Sequence, residues 1–142
     1  MKLKIGFWII FIYILLIGCE DVSTKYHENS YLKIDAPNLE QNNGYYRLIF
    51  LTDYIQTFTT LQAWTGNEYQ KIEWISNKEI KINNVWTNLV NSASYTDING
   101  EAFTALGVWE EFINDTITVY CGYHDEYNDH YVDSLKIIIN GD

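Results

Sequence analysis

Basic residues are scarce in this sequence: nine Lys and Arg stand against nineteen Asp and Glu, a net charge of −10. A surface of that sign repels polyphosphate and anionic headgroups, which argues against a nucleic-acid partner. Cysteine is nearly absent, with only Cys19 and Cys121, and there is one proline, Pro37. Beyond residue 17 no apolar run approaches the 20 or so residues that a spanning helix needs. The sequence also lacks a G-x-S-x-G elbow, a phosphate-binding glycine loop, an H-E-x-x-H pair and the spacing of a Ca²⁺ loop or zinc motif. No catalytic residue, resident metal or cofactor is therefore assigned. What the chain does have is aromatic and apolar weight: 47% hydrophobic residues, with 12 Tyr and 5 Trp, too much for a disordered chain.

The amino terminus reads as a targeting segment. Lys2 and Lys4 precede an apolar stretch from Ile5 to Ile17, too short to span a bilayer, and Leu16-Ile17-Gly18-Cys19 follows. This pattern resembles the lipobox of bacterial lipoproteins. The resemblance implies that residues 1–18 form a lipoprotein signal peptide and that Cys19 is the lipidation site, acylated with palmitate-type chains and tied to a membrane by them alone. More than one acyl chain makes such an anchor stable, since a single chain binds marginally. Glu20 and Asp21, directly after the anchor, resemble export signals of some Gram-negative lipoproteins and favour the outer membrane or cell surface over the inner membrane. With Cys19 acylated, Cys121 has no partner within the chain, and its place in an apolar alternation reads as a small buried hydrophobe. Residues 19–43 then form a lipidated start and a solvated tether.

From residue 44 to 142 the sequence turns to short runs rich in Tyr, Phe, Trp, Ile, Val and Thr, broken by Asn, Asp, Gly and Ser. The runs predict strands at Tyr45–Leu51, Gln56–Thr65, Tyr69–Ser76, Glu79–Ile82, Glu101–Leu106, Thr116–Tyr123 and Tyr131–Asn140. In the sixth, Ile117, Val119 and Cys121 alternate with Thr116, Thr118 and Tyr120; in the last, Leu135, Ile137 and Ile139 alternate with Ser134, Lys136 and Ile138. About seven strands with one dry face each bury those faces by stacking two sheets, which predicts an all-β sandwich.

Leu61-Gln62-Ala63 and Ile72-Glu73-Trp74 resemble strands B and C of an immunoglobulin-like domain, with Trp74 as the core tryptophan. Thr96-Asp97-Ile98-Asn99-Gly100-Glu101-Ala102 and Asp115-Thr116-Ile117-Thr118-Val119 resemble the D–E turn and strand F of bacterial Ig-like domains of invasin and intimin type. The resemblance implies a single Ig-like β-sandwich and an adhesive or recognition role. The turn also has a direct physical reading. Asp97 and Asn99 can hydrogen-bond their own backbone, and Gly100 can supply a positive φ.

The candidate functional residues fall in two groups. His124, Tyr127 and His130 bracket an acid-rich hairpin, His124-Asp125-Glu126-Tyr127-Asn128-Asp129-His130, which reads as a solvated tip in preference to a metal site. Trp86 and Trp109, with Trp64, fall near loops or on the face opposite the core, where indoles can stack on sugar rings or anchor an interface. The expected function is a non-enzymatic binding or adhesion module of the bacterial cell envelope, held by its lipid and facing a protein or glycan ligand. Two alternatives remain: a structural accessory subunit, which requires an unpaired edge strand or apolar patch, and a small envelope enzyme such as a glycosidase, which requires converging acids such as Glu110-Glu111 with the hairpin carboxylates.

Overall fold

The computed structural model describes residues 32–87, 91–126 and 128–142. The signal peptide, Cys19 and the start of the tether lie outside the described residues, as does Tyr127. Among the described residues the elements are β1 (Lys33–Asp35), β2 (Glu40–Asn42), β3 (Tyr45–Phe50), β4 (Gln56–Trp64), β5 (Lys71–Ser76), β6 (Lys81–Ile82), β7 (Val85–Trp86), β8 (Ser92–Tyr95), β9 (Glu101–Trp109), β10 (Thr116–His124) and β11 (His130–Gly141), with a 3-10 turn at Glu110–Phe112. They form two sheets, ordered β1-β4-β9-β6-β7 and β2-β3-β11-β10-β5-β8. The order β1-β4-β9-β6 opposite β5-β10-β11 is the A-B-E-D facing C-F-G arrangement of an immunoglobulin sandwich. β3 adds to it by running parallel to β11.

The alternation decides which faces meet. Ile117, Val119 and Cys121 of β10 and Leu135, Ile137 and Ile139 of β11 are all buried, as are Leu61 and Ala63 of β4 and Leu106 and Val108 of β9. Each large aliphatic side chain so enclosed contributes about 1.5–3 kcal/mol relative to exposure. Trp74 sits in this layer with no exposed surface, opposite Cys121 across the β5–β10 ladder. Its indole Nε1 donates to Ser94 Oγ at 2.8 Å, so a polar atom deep in the core is satisfied from β8.

The sandwich begins earlier than residue 44. β1 and β2 fall inside the stretch assigned to the tether, and Ile34 and Ala36 are buried. Long-range polar contacts hold β1 in place: Ile34 N donates to Asp133 Oδ2 at 2.9 Å, and Tyr46 Oη donates to Asp35 Oδ1 at 2.6 Å. Three residues are too few for alternation to register, and Pro37, two positions after Asp35, suppresses a strand reading. A Pro37-Asn38 turn, closed by Leu39 N to Ala36 O at 3.0 Å, carries the chain from the first sheet to the second.

The turn before β9 behaves as its sequence suggests. Asp97 Oδ1 accepts from Asn99 N at 2.8 Å and from Glu101 N at 3.0 Å, and Gly100 has φ +78°. It leads into β9 from β8, which lies beside β5 in the other sheet, and so crosses between layers.

Replacing Gly100 by Ala is expected to destabilise the fold by more than about 1 kcal/mol, because φ is positive and a methyl would also come within 2.8 Å of the Gly66 backbone. Urea unfolding of the two proteins checks this.

Burial, with the charge of Asp133 adding, pushes the Cys121 thiol to about 12. Burial and the bond to Asp35 push the Tyr46 phenol to about 12. Both lie above the ordinary values of 9.0 and 10.0, so the neutral forms favour the folded state. Their contribution is intact below about pH 9 and is lost as pH climbs towards about 12. Denaturant midpoints measured across that interval should fall, and a Cys121→Ala, Tyr46→Phe double variant should show a shallower decline.

Candidate functional site: two aromatic clusters at opposite ends

The sequence-predicted residues do not converge. Trp86 and Trp109 belong to the outer face of the five-stranded sheet, whereas His124 and His130 belong to the outer face of the six-stranded one. Along the strands they are also apart. Trp109 pairs with Gln56 beside the β3–β4 turn, the end at which Phe50 meets Gly141, while His130 opens β11 at the other end. The length of β11 separates these ends, roughly 35 Å at 3.4 Å per residue.

At the first end, strand register builds an aromatic platform. Phe58, Gly107, Lys81 and Trp86 are successive cross-strand partners over four adjacent strands, a row about 14 Å wide at the usual strand spacing. Trp86 stacks on Trp109 with ring centroids 4.8 Å apart and planes 21° from parallel. Lys81 Nζ lies 4.8 Å from the Trp86 centroid and 5.6 Å from that of Trp109. Such a cation over an indole contributes about 0.5–1 kcal/mol at an exposed site and fixes the ring's orientation. Trp86 is 40% exposed, Phe58 64% and Phe103 54%, while Trp109 packs partly against the core. Gly107 forms the buried floor of this row, covered by its neighbours. The Gln56 side-chain amide and the Phe58 ring edge occupy the space a Cβ would need.

At the second end, His124 and His130 are cross-strand partners whose rings stack 4.3 Å apart and 13° from parallel. His130 leans over Gly122, where a Cβ would come within 3.0 Å of Nε2. The two imidazoles border a groove of about 410 Å³ walled by Glu73, Ile75, Tyr120 and Val132. The Lys71 ammonium at 2.7 Å, then the Asn91 amide, hold the Glu73 carboxyl below the usual carboxylate range. That ion pair is exposed and contributes little to stability. Of the hairpin acids, Asp125 shapes the turn with its carboxylate. Asp125 Oδ1 accepts from Asp129 N at 2.8 Å, and Asn128 takes φ +66° to close the loop. Among the described residues no three His, Cys, Asp or Glu side chains gather as a metal set.

Glu110 and Glu111 are exposed on the 3-10 turn at the Trp109 end, so they do not pair with the hairpin carboxylates at the other. Cys121 is buried and its thiol is held protonated, the inert environment expected of a core residue. The sequence reading missed Lys81, Phe58, Phe103 and the floor at Gly107. Lys81 sits in a two-residue strand, and only the register of four strands unites the others.

No family model matches the sequence, and no curated protein does. Among solved structures, the chain is similar to part of a family 123 glycoside hydrolase from Clostridium perfringens, described in a study of glycolipid glycan hydrolysis, with a TM-score of 0.42 and 9% sequence identity. The match takes in 80% of this chain but spans only 27% of the length of that enzyme, and a likeness of this size carries no inference about activity.

Proposed function

We propose that the chain is a lipid-anchored protein of the bacterial cell envelope, outer membrane or surface, whose β-sandwich presents a non-enzymatic binding face to a protein or glycan. One observation carries the reading: the stacked Trp86–Trp109 pair, oriented by Lys81 and continued by Phe58 across Gly107. Rigid aromatic surface of this kind gives large contact area at little conformational cost, and interface energy concentrates on such residues. A sheet is a stiffer support for it than a loop.

The geometry of attachment agrees with that assignment. β1 begins at Lys33, which pairs with Trp64 at the same end of the sandwich as the His124–His130 hairpin. A tether from Cys19 therefore enters at the histidine end and leaves the Trp86–Trp109 end farther from the lipid. Of the two clusters expected from the sequence, the tryptophan pair is accordingly the contact face.

Metabolic labelling with a palmitate analogue is expected to mark the wild type and to miss Cys19→Ala; equal labelling of both overturns the anchor. For the contact face, the immobilised domain is incubated with solubilised envelope material. Trp86→Ala should weaken recovery of its bound partner by roughly 2 kcal/mol, the loss typical of a central anchor, with the melting temperature little changed. Wild-type recovery by that variant removes the platform from the function.

A further inference from the structure

The strongest feature beside the tryptophan pair is a groove of about 630 Å³ on the side of the sandwich where, among the described residues, part of one edge of each sheet has no partner strand. β1 covers β4 only over Gln62–Trp64, because the Pro37 turn then takes the chain to the other sheet. β2 likewise covers β3 only over Tyr45–Arg47. Among the described residues, no strand pairs with the outer edge of β4 from Gln56 to Thr60 or with that of β3 from Leu48 to Phe50.

Strand phase identifies which groups face the gap. Thr65 N donates to Gly100 O at 3.0 Å on the β9 side, so the odd-numbered residues of β4 bond to β9 and the even-numbered ones turn the other way. Gln62 and Trp64 spend those outward groups on β1. Phe58 and Thr60 present theirs to the groove, and Gln56 continues the row of outward backbone donors and acceptors, two residues apart, beyond its lining. Thr59 adds a second mark. It is 7% exposed, lines the groove, and its hydroxyl has no hydrogen-bond partner among the described residues. Beside the row, Ile49, Leu51 and Phe58 are 44%, 46% and 64% exposed.

We propose that this edge is a docking site for an extended, net-basic segment of another polypeptide, which pairs with β4 as an added strand. Alternating backbone donors and acceptors at strand spacing are complementary to another strand backbone, and main-chain bonds of this kind supply the affinity in strand addition. Inward side chains of the added strand enter between the sheets against Leu39, Leu48 and Thr59. Outward ones lie along Phe58 and Ala105. Charge selects the occupant: a second copy carries the same net −10 and is repelled, whereas a basic segment is attracted. The groove lining itself carries one acid, Glu40, and one base, Arg47, while the pocket that begins at the next residue after Leu51, Thr52, carries Asp53, Glu110 and Glu111. The groove shares Phe58 with the platform but includes neither Trp86 nor Trp109, so Trp86→Ala distinguishes failure of the platform from failure of this site.

The test selects a library of short random peptides on the immobilised protein and then follows backbone amide exchange by NMR. In the free protein, Phe58 and Thr60 amides should exchange faster than those of Thr59 and Leu61, which bond to β9. The enriched peptides should alternate apolar and polar residues, carry net positive charge, and protect Phe58 and Thr60. Phe58→Ala keeps the backbone donor but removes a ring that the added strand lies along, so it should bind more weakly than wild type and more tightly than Phe58→Pro. Phe58→Pro removes it at an edge position where proline is tolerated, and should lose at least about tenfold in affinity, with Thr60→Pro as the second variant if the first does not fold. Trp86→Ala should bind the peptides as the wild type does. Failure to enrich any peptide, protection elsewhere, equal binding by the proline variants, or concentration-dependent protection of the same amides by self-association each overturns the proposal.

Discussion

One register holds the molecule together: β10 lies between β5 and β11 with Cys121 opposite both Trp74 and Asp133. Strand side chains alternate with a period of two, so a slip of one residue would turn Ile117, Val119 and Cys121 outward and bring Thr118, Tyr120 and His124 into the core. Ionisable and hydroxyl groups would then be buried without partners, at a cost of some kcal/mol each. The native register avoids this and has a further consequence. By fixing the inner face it fixes the outer one, which is where His124 meets His130 and where Gly122 leaves a hollow.

The same logic explains which parts of the architecture could be read from sequence. β3, β4, β5, β9, β10 and β11 each run six residues or more, long enough for alternation to emerge above composition. The all-β sandwich and the burial of Trp74 followed from those strands. β1, β2, β7 and β8 have two to four residues and owe their existence to neighbours: β1 to Asp133 and Tyr46, and β8 to the β5 edge and the Trp74 indole. Local sequence holds no trace of a partner nearly a hundred positions away. Hence β1 and β2, which belong to the two sheets, lie before the boundary drawn at residue 44.

Candidate site residues were legible as types but not as an arrangement. An indole at 86 and another at 109 are two unrelated aromatics until β6 and β9 pair and place Lys81 beside both rings. Asp97-Ile98-Asn99-Gly100, by contrast, acts within its own few residues. The Asp97 turn could be anticipated for that reason, since its donors and acceptor are neighbours in sequence. The hairpin acids were visible too, but not that Asp125 accepts a hydrogen bond from the backbone of Asp129.

The open side of the sandwich follows from one residue type used once. Pro37 cannot donate to a ladder, and its ring favours a turn, so β1 ends after three residues and, among the described residues, no strand pairs with the outer edge of β4 from Gln56 to Thr60. An edge of that length attracts other strands, including those of identical chains, unless something opposes the pairing. Here the opposition comes from charge: with nineteen acids against nine bases, copies of the chain repel one another at long range, whereas the short-range ladder remains available to a strand of opposite sign. A strongly acidic surface and a bare β edge are thus complementary features, the first restricting which partners the second can accept.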